Sequence, residues 1–278
     1  VLAVYLIILL AIGVWGGRES HSVAGYYVAN KKLPAWVIAF SSNATGESAW
    51  LLLGLTGMGY AVGIHALWIV LGEVLGVALG WVLVALPFKE LTDRYDSITV
   101  ADYLESRFDD RQHVLRILSA IVILTMVTAY TAAQLTASGK AFSSFLGTSY
   151  AAGVLIGAAV ILYYTTVGGF KAVAYSDVLQ GVLMFSGLLM LPIVGVSAAG
   201  GFSQLIEQLH SVDPNLLEPM GELGFSVAGV LSAVSFMGIG LAFLGAPQLL
   251  TRFISASSRT QIVNGSLLAV ICIIVFDV

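Results

Sequence analysis

Residues 41–48 read Ser-Ser-Asn-Ala-Thr-Gly-Glu-Ser and interrupt an apolar segment that covers residues 35–62. Seven of these eight residues are polar or Gly, and Glu47 is one of them. An acidic side chain at the centre of a membrane helix costs about 2.5–3.5 kcal/mol, so a cation, a partner or a water-filled cavity must compensate it. A packing face of small residues would explain the Ser and Gly residues but not Glu47. The stretch therefore predicts a membrane helix that is unwound over 41–48, with a functional site at the break.

The composition of the whole chain supports a membrane location. Of its 278 residues, 58% are hydrophobic and 10% are charged, whereas soluble domains carry about 25% charged residues. This balance excludes a soluble enzyme, a disordered chain and a nucleic-acid-binding protein, which needs a basic face. The one cysteine, Cys272, cannot form an internal disulfide. We therefore expect an all-α integral membrane protein whose surroundings are a lipid bilayer.

Apolar segments suited to crossing a bilayer recur along the chain. Eight are predicted, over residues 1–16, 35–62, 65–88, 113–145, 149–167, 177–199, 225–250 and 261–276. Between the sixth and seventh, residues 200–224 predict a polar loop that carries a short interfacial helix. The first segment is short and the last ends in apolar sequence, so we expect the chain to be a fragment of a longer protein.

The distribution of Lys and Arg predicts the orientation. If all eight segments span, eleven of the twelve basic residues fall in loops on one side, and only Lys140 falls on the other. Basic loops stay in the cytoplasm, so the N-terminus is expected to be extracytoplasmic. We expect a multi-pass protein of the cell (plasma) membrane, and specifically of a bacterial inner membrane.

A second interrupted helix lies in the seventh segment. Residues 238–247 contain three Gly and end in Pro247, which removes an amide and leaves the carbonyl of Phe243 free. Free carbonyls at membrane depth are buried in protein or line polar cavities. The two breaks are five spans apart and lie in helices that run in opposite directions, which is the pattern of secondary transporters with inverted repeats.

This pattern divides the chain into four parts. Residues 1–16 form an extra N-terminal membrane helix and residues 35–199 form the first five-helix repeat. Residues 200–224 form an extracytoplasmic loop, and residues 225–278 form an incomplete second repeat. Half-helix ends offer positive poles to an anionic substrate group and carbonyls to a cation. A site between the repeats would be only half present in these residues.

Four short motifs, in order along the chain, resemble those of the solute:sodium symporter family, most closely its sodium/proline branch. They are Ser-Ala-Trp-Leu-Leu-Leu-Gly at 48–54, Val-Ala-Asp-Tyr-Leu-Glu-Ser-Arg-Phe at 100–108, Tyr-Thr-Thr-Val-Gly-Gly-Phe-Lys-Ala at 164–172, and Gly-Ala-Pro-Gln at 245–248 followed by Arg252-Phe253. The resemblance implies a core of inverted five-helix repeats, of the sodium-coupled amino-acid transporter type, with one extra N-terminal helix. It implies import of a small organic solute, an amino acid such as proline, by alternating access, with sodium as the coupling ion and no other cofactor.

The resemblance also implies where sodium binds. In such transporters, backbone carbonyls at the first broken helix and hydroxyls of a later helix hold the ion, and the carbonyl positions match Ala44 and Glu47. Ser48 matches a family serine. Proline-type members place an aspartate where this chain has Gly46. The carboxylate of Glu47, one residue on, therefore either attracts the ion or, turned by about 100° around the helix, faces another wall.

Substrate positions follow from the resemblance as well. The residues matched to the substrate site are Gly46, Trp50, Tyr130, Ile239, Phe243 and Pro247. Tyr130 matches a tyrosine that faces the substrate, although its hydroxyl could instead bond a neighbouring helix. Proline-type members carry aromatic residues at the positions of Ile239 and Phe243. One aromatic is thus lost, and we expect a pocket of different shape.

Two further acids are candidates for function. Asp177 matches a family acid that some members use near the cytoplasmic exit, but a helix N-terminal dipole would also favour an acid there. Glu73 lies in the third span beside Gly72, Gly76 and Gly80, whose four-residue spacing predicts a close-packing face. We expect Glu73 to bond an adjacent helix, with a functional role as the alternative.

Other functional classes account for the sequence less well. The main alternative to a symporter is a transporter-like sensor module fused to a downstream signalling domain. A channel would need a repeated filter motif, and an enzyme would need a nucleophile and a base at useful spacing, and the sequence contains neither pattern. The four His residues are dispersed and predict no metal site.

Overall fold

Helices account for nearly all of the regular structure in the computed structural model, which describes residues 2–277. The α-helices of this part of the chain are α1 Leu2–Gly17, α2 Val23–Val28, α3 Ala35–Ala49, α4 Thr56–Val62, α5 Leu67–Leu79, α6 Leu86–Arg94, α7 Val100–Phe108, α8 Val114–Leu146, α9 Tyr150–Ala198, α10 Phe202–Val212, α11 Val227–Met237, α12 Pro247–Ile254 and α13 Arg259–Asp277. π-Helical turns join α3 to α4 over Trp50–Leu55 and α5 to α6 over Gly80–Ala85, and a 3₁₀ segment, Gly238–Leu244, follows α11. The all-α prediction is confirmed.

Several helical stretches are long and apolar enough to cross a membrane. They are Ala35–Arg94, Val114–Leu146, Tyr150–Ala198, Val227–Leu244 and Arg259–Asp277, and the shorter Val4–Gly17 is also apolar. The first of them contains 60 residues and the third contains 49. Straight helices of these lengths would measure about 90 Å and 74 Å, against a hydrocarbon core of about 30 Å. Both stretches must therefore turn back within their length.

Glycines in the left-handed region make these two reversals. Gly63 follows α4 with φ +60°, and Gly169 lies inside α9 with φ +60°. A side chain disfavours this conformation, so glycine is the residue that fits. Nε1 of Trp50 donates to Oε1 of Glu73 at 2.7 Å, although a straight helix would hold the two residues about 35 Å apart. The chain thus forms a hairpin of helices around Gly63.

Contacts with α1 show that α9 also turns back. The Tyr5 hydroxyl accepts from Nε2 of Gln180 at 3.0 Å, and a Cβ on Gly13 would come within 3.0 Å of Tyr164. Tyr5 and Gly13 are about 12 Å apart along α1, whereas Tyr164 and Gln180 would be about 24 Å apart in a straight helix. With both reversals counted, the helices of residues 2–277 match the eight predicted segments.

Loops that the orientation prediction places on the same side of the membrane contact one another. On the basic side, Nζ of Lys31 lies 3.1 Å from Oδ1 of Asp93. On the opposite side, Nδ1 of His65 lies 2.8 Å from the carbonyl oxygen of Pro219. Alternate loops thus share a side, as eight spans require. That the basic side faces the cytoplasm stays a prediction.

A backbone pairing also joins two loops on the basic side. The Leu33 N–H donates to the carbonyl of Ser255 at 3.0 Å, and the Leu33 carbonyl accepts from the N–H of Ser257 at 3.1 Å. The two hydrogen bonds make an isolated parallel bridge between Leu33 and Ala256. The loop before α3 is therefore fixed to the loop between α12 and α13.

Helix α5 packs closely against the second interrupted helix. A Cβ on Gly72 would come within 2.4 Å of the Met237 carbonyl oxygen, and one on Gly76 within 2.1 Å of that of Gly240. Any larger residue at these positions would push the backbones apart. The predicted close-packing face is confirmed, and its partner is the stretch that begins the 3₁₀ segment.

Candidate functional site

Helix α3 breaks at Ser48. Within an otherwise helical run this serine has φ 50° and ψ −150°, a conformation that costs a residue with a side chain roughly 1–3 kcal/mol. The residues from Ser41 to Glu47 stay helical, so the break is narrower than the unwound stretch predicted from the sequence. The polar residues therefore indicated correctly which part of the helix is interrupted. The non-helical φ and ψ values, however, are confined to Ser48.

Gln134 of α8 holds the polar groups at this break. Its Oε1 accepts from the N–H of Ala49 at 3.1 Å, and its Nε2 donates to Oγ of Ser48 at 3.3 Å. One side-chain amide therefore bonds both sides of the break. Gln134 was not among the site residues predicted from the sequence, although its place four residues after Tyr130 puts the two side chains on one helical face.

Tyr130 faces the same broken helix one turn away. Its hydroxyl donates to the carbonyl of Thr45 at 3.3 Å, and the residue is 36% exposed. The bond to a neighbouring helix, which was the alternative for this hydroxyl, is therefore present. The exposed part of the ring leaves surface for a ligand beside α3. Contact with substrate stays a prediction.

The two breaks meet at Gly46 and Phe243. Phe243 is buried within the 3₁₀ segment, and a Cβ on Gly46 would come within 2.7 Å of its Cε1. The aromatic ring thus takes the space that a side chain at position 46 would need. Ile239 packs in a separate apolar cluster with Trp50, and Pro247 begins α12. Of the six predicted substrate residues, the structure brings Gly46 and Phe243 into contact, while Trp50 and Ile239 pack against the same separate cluster.

The three predicted sodium ligands point in different directions from α3. The side chain of Ala44 faces Gly181 of α9, where an added Cβ would lie 3.6 Å away, and Ser48 faces α8. The carbonyl of Glu47 accepts from the N–H of Trp50, and it retains a second lone pair. That these carbonyls bind sodium stays a prediction.

The carboxylate of Glu47 lies away from Ser48. It belongs to a cluster with Glu73 and Asp277, in which one oxygen of each lies within 4.8 Å of the others. Whether this carboxylate attracts the sodium ion stays a prediction. The predicted bond between Glu73 and an adjacent helix is confirmed by Trp50, which donates to it. Asp277 was overlooked because it ends an apolar run.

Asp177 forms a buried ion pair. Its Oδ2 lies 2.5 Å from Nη2 of Arg252, and the two side chains are 11% and 4% exposed. The Ser41 hydroxyl donates to the same oxygen at 2.6 Å, and Arg252 also donates to Thr45. Asp177 lies eight residues beyond the reversal at Gly169, outside the first turn in which a helix dipole acts. Asp177 thus lies in a buried ion pair, and its role near the cytoplasmic exit stays a prediction.

Comparison with known proteins gives the chain a family match. The sequence profile of the sodium:solute symporter family matches residues 26–278. The osmoregulated proline transporter OpuE of Bacillus subtilis is 32% identical over 255 residues, which are 91% of this chain and 51% of that protein. The sodium/proline symporter of Salmonella typhimurium is 35% identical over 262 residues, or 94% of this chain and 51% of the relative. The chain spans about half the length of these curated relatives.

A solved structure shares the fold. It is a sodium-coupled sialic acid symporter in a substrate-bound, outward-open state, with a TM-score of 0.81 and 19% identity. The match covers 98% of this chain and 57% of that one. At this identity the likeness shows the fold alone.

Proposed function

Because the chain belongs to the sodium:solute symporter family, we propose that the full-length protein imports a small organic solute together with sodium by alternating access. This function is supported above all by the meeting of two helix breaks, at Ser48 and in the 3₁₀ segment, where Gly46 lies against Phe243. In secondary transporters, broken helices of opposed repeats supply the half-helix poles and the carbonyls that hold solute and ion.

The arrangement of the repeats is part of this proposal. Residues 35–199 form the first five-helix repeat, residues 225–278 begin the second, and residues 1–16 are an extra helix. The shared sides of the loops support this alternation, and the excess of Lys and Arg on one side supports a cytoplasmic location for those loops. The protein then lies in a bacterial inner membrane with its N-terminus outside.

The coupling ion binds at the break in α3. The carbonyls of Ala44 and Glu47 and the hydroxyl of Ser48 are its ligands in this part of the chain. Gln134 supports them by fixing the hydroxyl of Ser48 and the N–H of Ala49. Oxygen atoms of this kind suit a hard cation such as sodium.

The solute is an amino acid of the proline type. Relatives that are 32% and 35% identical are named as proline transporters, and this likeness supports the substrate class. Gly46, Tyr130 and Phe243 line the solute site beside the two breaks, with Trp50 and Ile239 in the adjoining cluster and Pro247 at the start of α12.

The ion pair of Asp177 and Arg252 closes the basic side of the site. It joins α9 to α12, and Ser41 and Thr45 connect both charges to α3. Solute can leave toward that side only after these hydrogen bonds separate. Asp177 is therefore the acid at the cytoplasmic exit.

Uptake of labelled proline by the full-length protein in proteoliposomes tests this function. An inward sodium gradient should drive accumulation, and a potassium gradient should not.

Ser48→Ala removes one sodium ligand, so it should raise the sodium concentration for half-maximal uptake at least fivefold. Ser257→Ala, in an exposed loop, is the matched control. Sodium-independent uptake, or an unchanged sodium requirement in Ser48→Ala, would contradict the proposal.

A further inference from the structure

Three acidic side chains from three different helices converge inside the protein. Glu47 comes from α3, Glu73 from α5 and Asp277 from the end of α13, and an oxygen of each lies within 4.8 Å of the others. Glu47 and Glu73 have no exposed surface. Negative charges this close repel one another strongly in a low-dielectric interior. The cluster therefore requires either protons or a bound cation to neutralise it.

Most oxygen atoms of the cluster lack a donor among residues 2–277. Both oxygens of Glu47, both oxygens of Asp277 and Oε2 of Glu73 have no hydrogen-bond partner there. Trp50 bonds the remaining oxygen, Oε1 of Glu73, at 2.7 Å. The ion pairs within the same residues include none of the three acids. Buried carboxylates are ordinarily paired or coordinate a metal ion, so these unpartnered oxygens indicate a bound cation.

The spacing of the carboxylates suits one hard cation. Such ions take carboxylate oxygens at about 2.3–2.6 Å, so oxygens on opposite sides of one ion lie no more than about 5 Å apart. The observed limit of 4.8 Å falls within that span. Hard cations prefer carboxylate and carbonyl oxygens over nitrogen or sulfur, and the cluster offers carboxylates alone.

A cavity lies beside one member of this cluster. Asp277 lines a cavity of about 1140 Å³, which extends to Asp213 and Leu216 in the loop after α10. The wall is largely apolar, and Asp213 and Asp277 are its two acids. The carboxylate oxygens of Asp277 are themselves buried, so the cavity reaches this residue but does not open onto the acid cluster.

We propose that Glu47, Glu73 and Asp277 bind a hard cation at a site separate from the sodium site at Ser48. The ion is Na⁺ or Ca²⁺. Glu47 directly precedes Ser48, and Trp50 on the other side of the break bonds Glu73. An ion at this site therefore connects both sides of the broken helix. Glu47 belongs to the side before the break, and Glu73 is bonded to Trp50 on the side after it.

Ion binding to the full-length purified protein tests this site without any need for transport. Binding of ²²Na⁺ and, separately, ⁴⁵Ca²⁺ is counted per protein molecule in choline buffer, together with the thermal shift that each ion causes. The variants are Glu73→Gln, which keeps an oxygen for Trp50, and Asp277→Asn. Neither changes the backbone at Ser48. Glu207→Gln, exposed on α10, removes the same charge elsewhere.

One ion fewer per molecule, or at least tenfold weaker binding of one ion, is expected in both variants but not in Glu207→Gln. Loss of Na⁺ identifies a sodium site, and loss of Ca²⁺ alone identifies a site for a divalent ion. Unchanged binding of both ions in both variants would overturn the proposal and leave protons as the only occupants of the cluster. Uptake by the wild type is measured in parallel, so failure of transport and failure of this site are told apart.

Discussion

At the scale of single residues, Gln134 is the side chain on which the break in α3 most depends. Gln134→Ala leaves the N–H of Ala49 without its acceptor, and such a loss costs about 1–3 kcal/mol where the group is buried. We expect a lower melting temperature of the full-length protein and at least a tenfold loss of sodium-driven uptake. Thr136→Ala, which removes an exposed hydroxyl on the same helix, should change neither. Equal behaviour of the two variants would show that α8 does not support the break.

The residues at the break were only partly predictable. The polar run at 41–48 located the interruption, because so many polar groups in an apolar segment require compensation. Which way each side chain points depends on the helical rotation between Glu47 and Ser48 and on the positions of α5, α8 and α13. Sequence alone left both directions open for Glu47. In the folded structure the carboxylate of Glu47 lies beside Glu73 and Asp277. The side chain of Gln134 contacts Ser48.

At the scale of helices, the ion pair between Asp177 and Arg252 holds α9, α12 and α3 together. Asp177→Asn leaves the buried guanidinium without its counter-charge, and loss of one partner of a buried pair costs about 3–5 kcal/mol. We expect a large drop in the melting temperature of the full-length protein. A double variant with Asp177→Leu and Arg252→Met should recover much of it, because no charge is then left unpaired.

An exposed ion pair gives the control for this experiment. Arg111 and Asp109 are 85% and 77% exposed, and pairs in water contribute little to stability. Asp109→Asn should therefore leave the melting temperature nearly unchanged. If Asp177→Asn behaved in the same way, the buried pair would not connect the three helices.

The helical elements themselves were largely predictable. The runs of apolar residues and the glycines at 63 and 169 were enough to locate the eight helical segments. Helix length and membrane thickness leave few other ways to divide the chain. The helical conformation of residues 170–176, directly after the non-helical Gly169, was not predictable, since the polar residues around Lys171 resemble a loop. The reversal at Gly169 packs against α1 and the loop that follows it, where the Ser20 hydroxyl donates to the Gly168 carbonyl at 3.0 Å.

At the scale of the whole molecule, the orientation can be tested with cysteine labelling. In a Cys272→Ser background, Arg94→Cys should react with a membrane-impermeant maleimide only when the cytoplasmic face is open. Ser211→Cys, in α10, should react in intact cells. Both residues are exposed, so burial does not limit either reaction. If both positions gave the reversed result, the proposed orientation in the membrane would be the wrong way round. If both cysteines were labelled from the same side, the alternation of spans would be contradicted.

The contacts between alternate loops were predictable from the order of the apolar segments, whereas the orientation taken from the charges stays a prediction. Eight spans and an excess of basic residues on one side require that alternate loops meet, and the pairs Lys31–Asp93 and His65–Pro219 do so. The acid cluster was not predictable, because Glu47, Glu73 and Asp277 are 26 and 204 residues apart along the chain. Only the folded arrangement brings such distant positions together.

The backbone bridge at Leu33 holds the N-terminal end of α3 in place, so the helix can pivot about that end. The bridge's two hydrogen bonds to residues 255 and 257 use only backbone atoms, so they need no particular side chain there, although proline at position 33 or 257 would remove a donor. In the proposed cycle, α3 and α4 then act as a lever anchored beside α12, and the largest displacement falls at the opposite end, near Gly63. A tilt of about 10° over a helix of about 42 Å moves that end by about 7 Å. In such a tilt the turn at Gly63 moves furthest, and the bridge at Leu33 does not move.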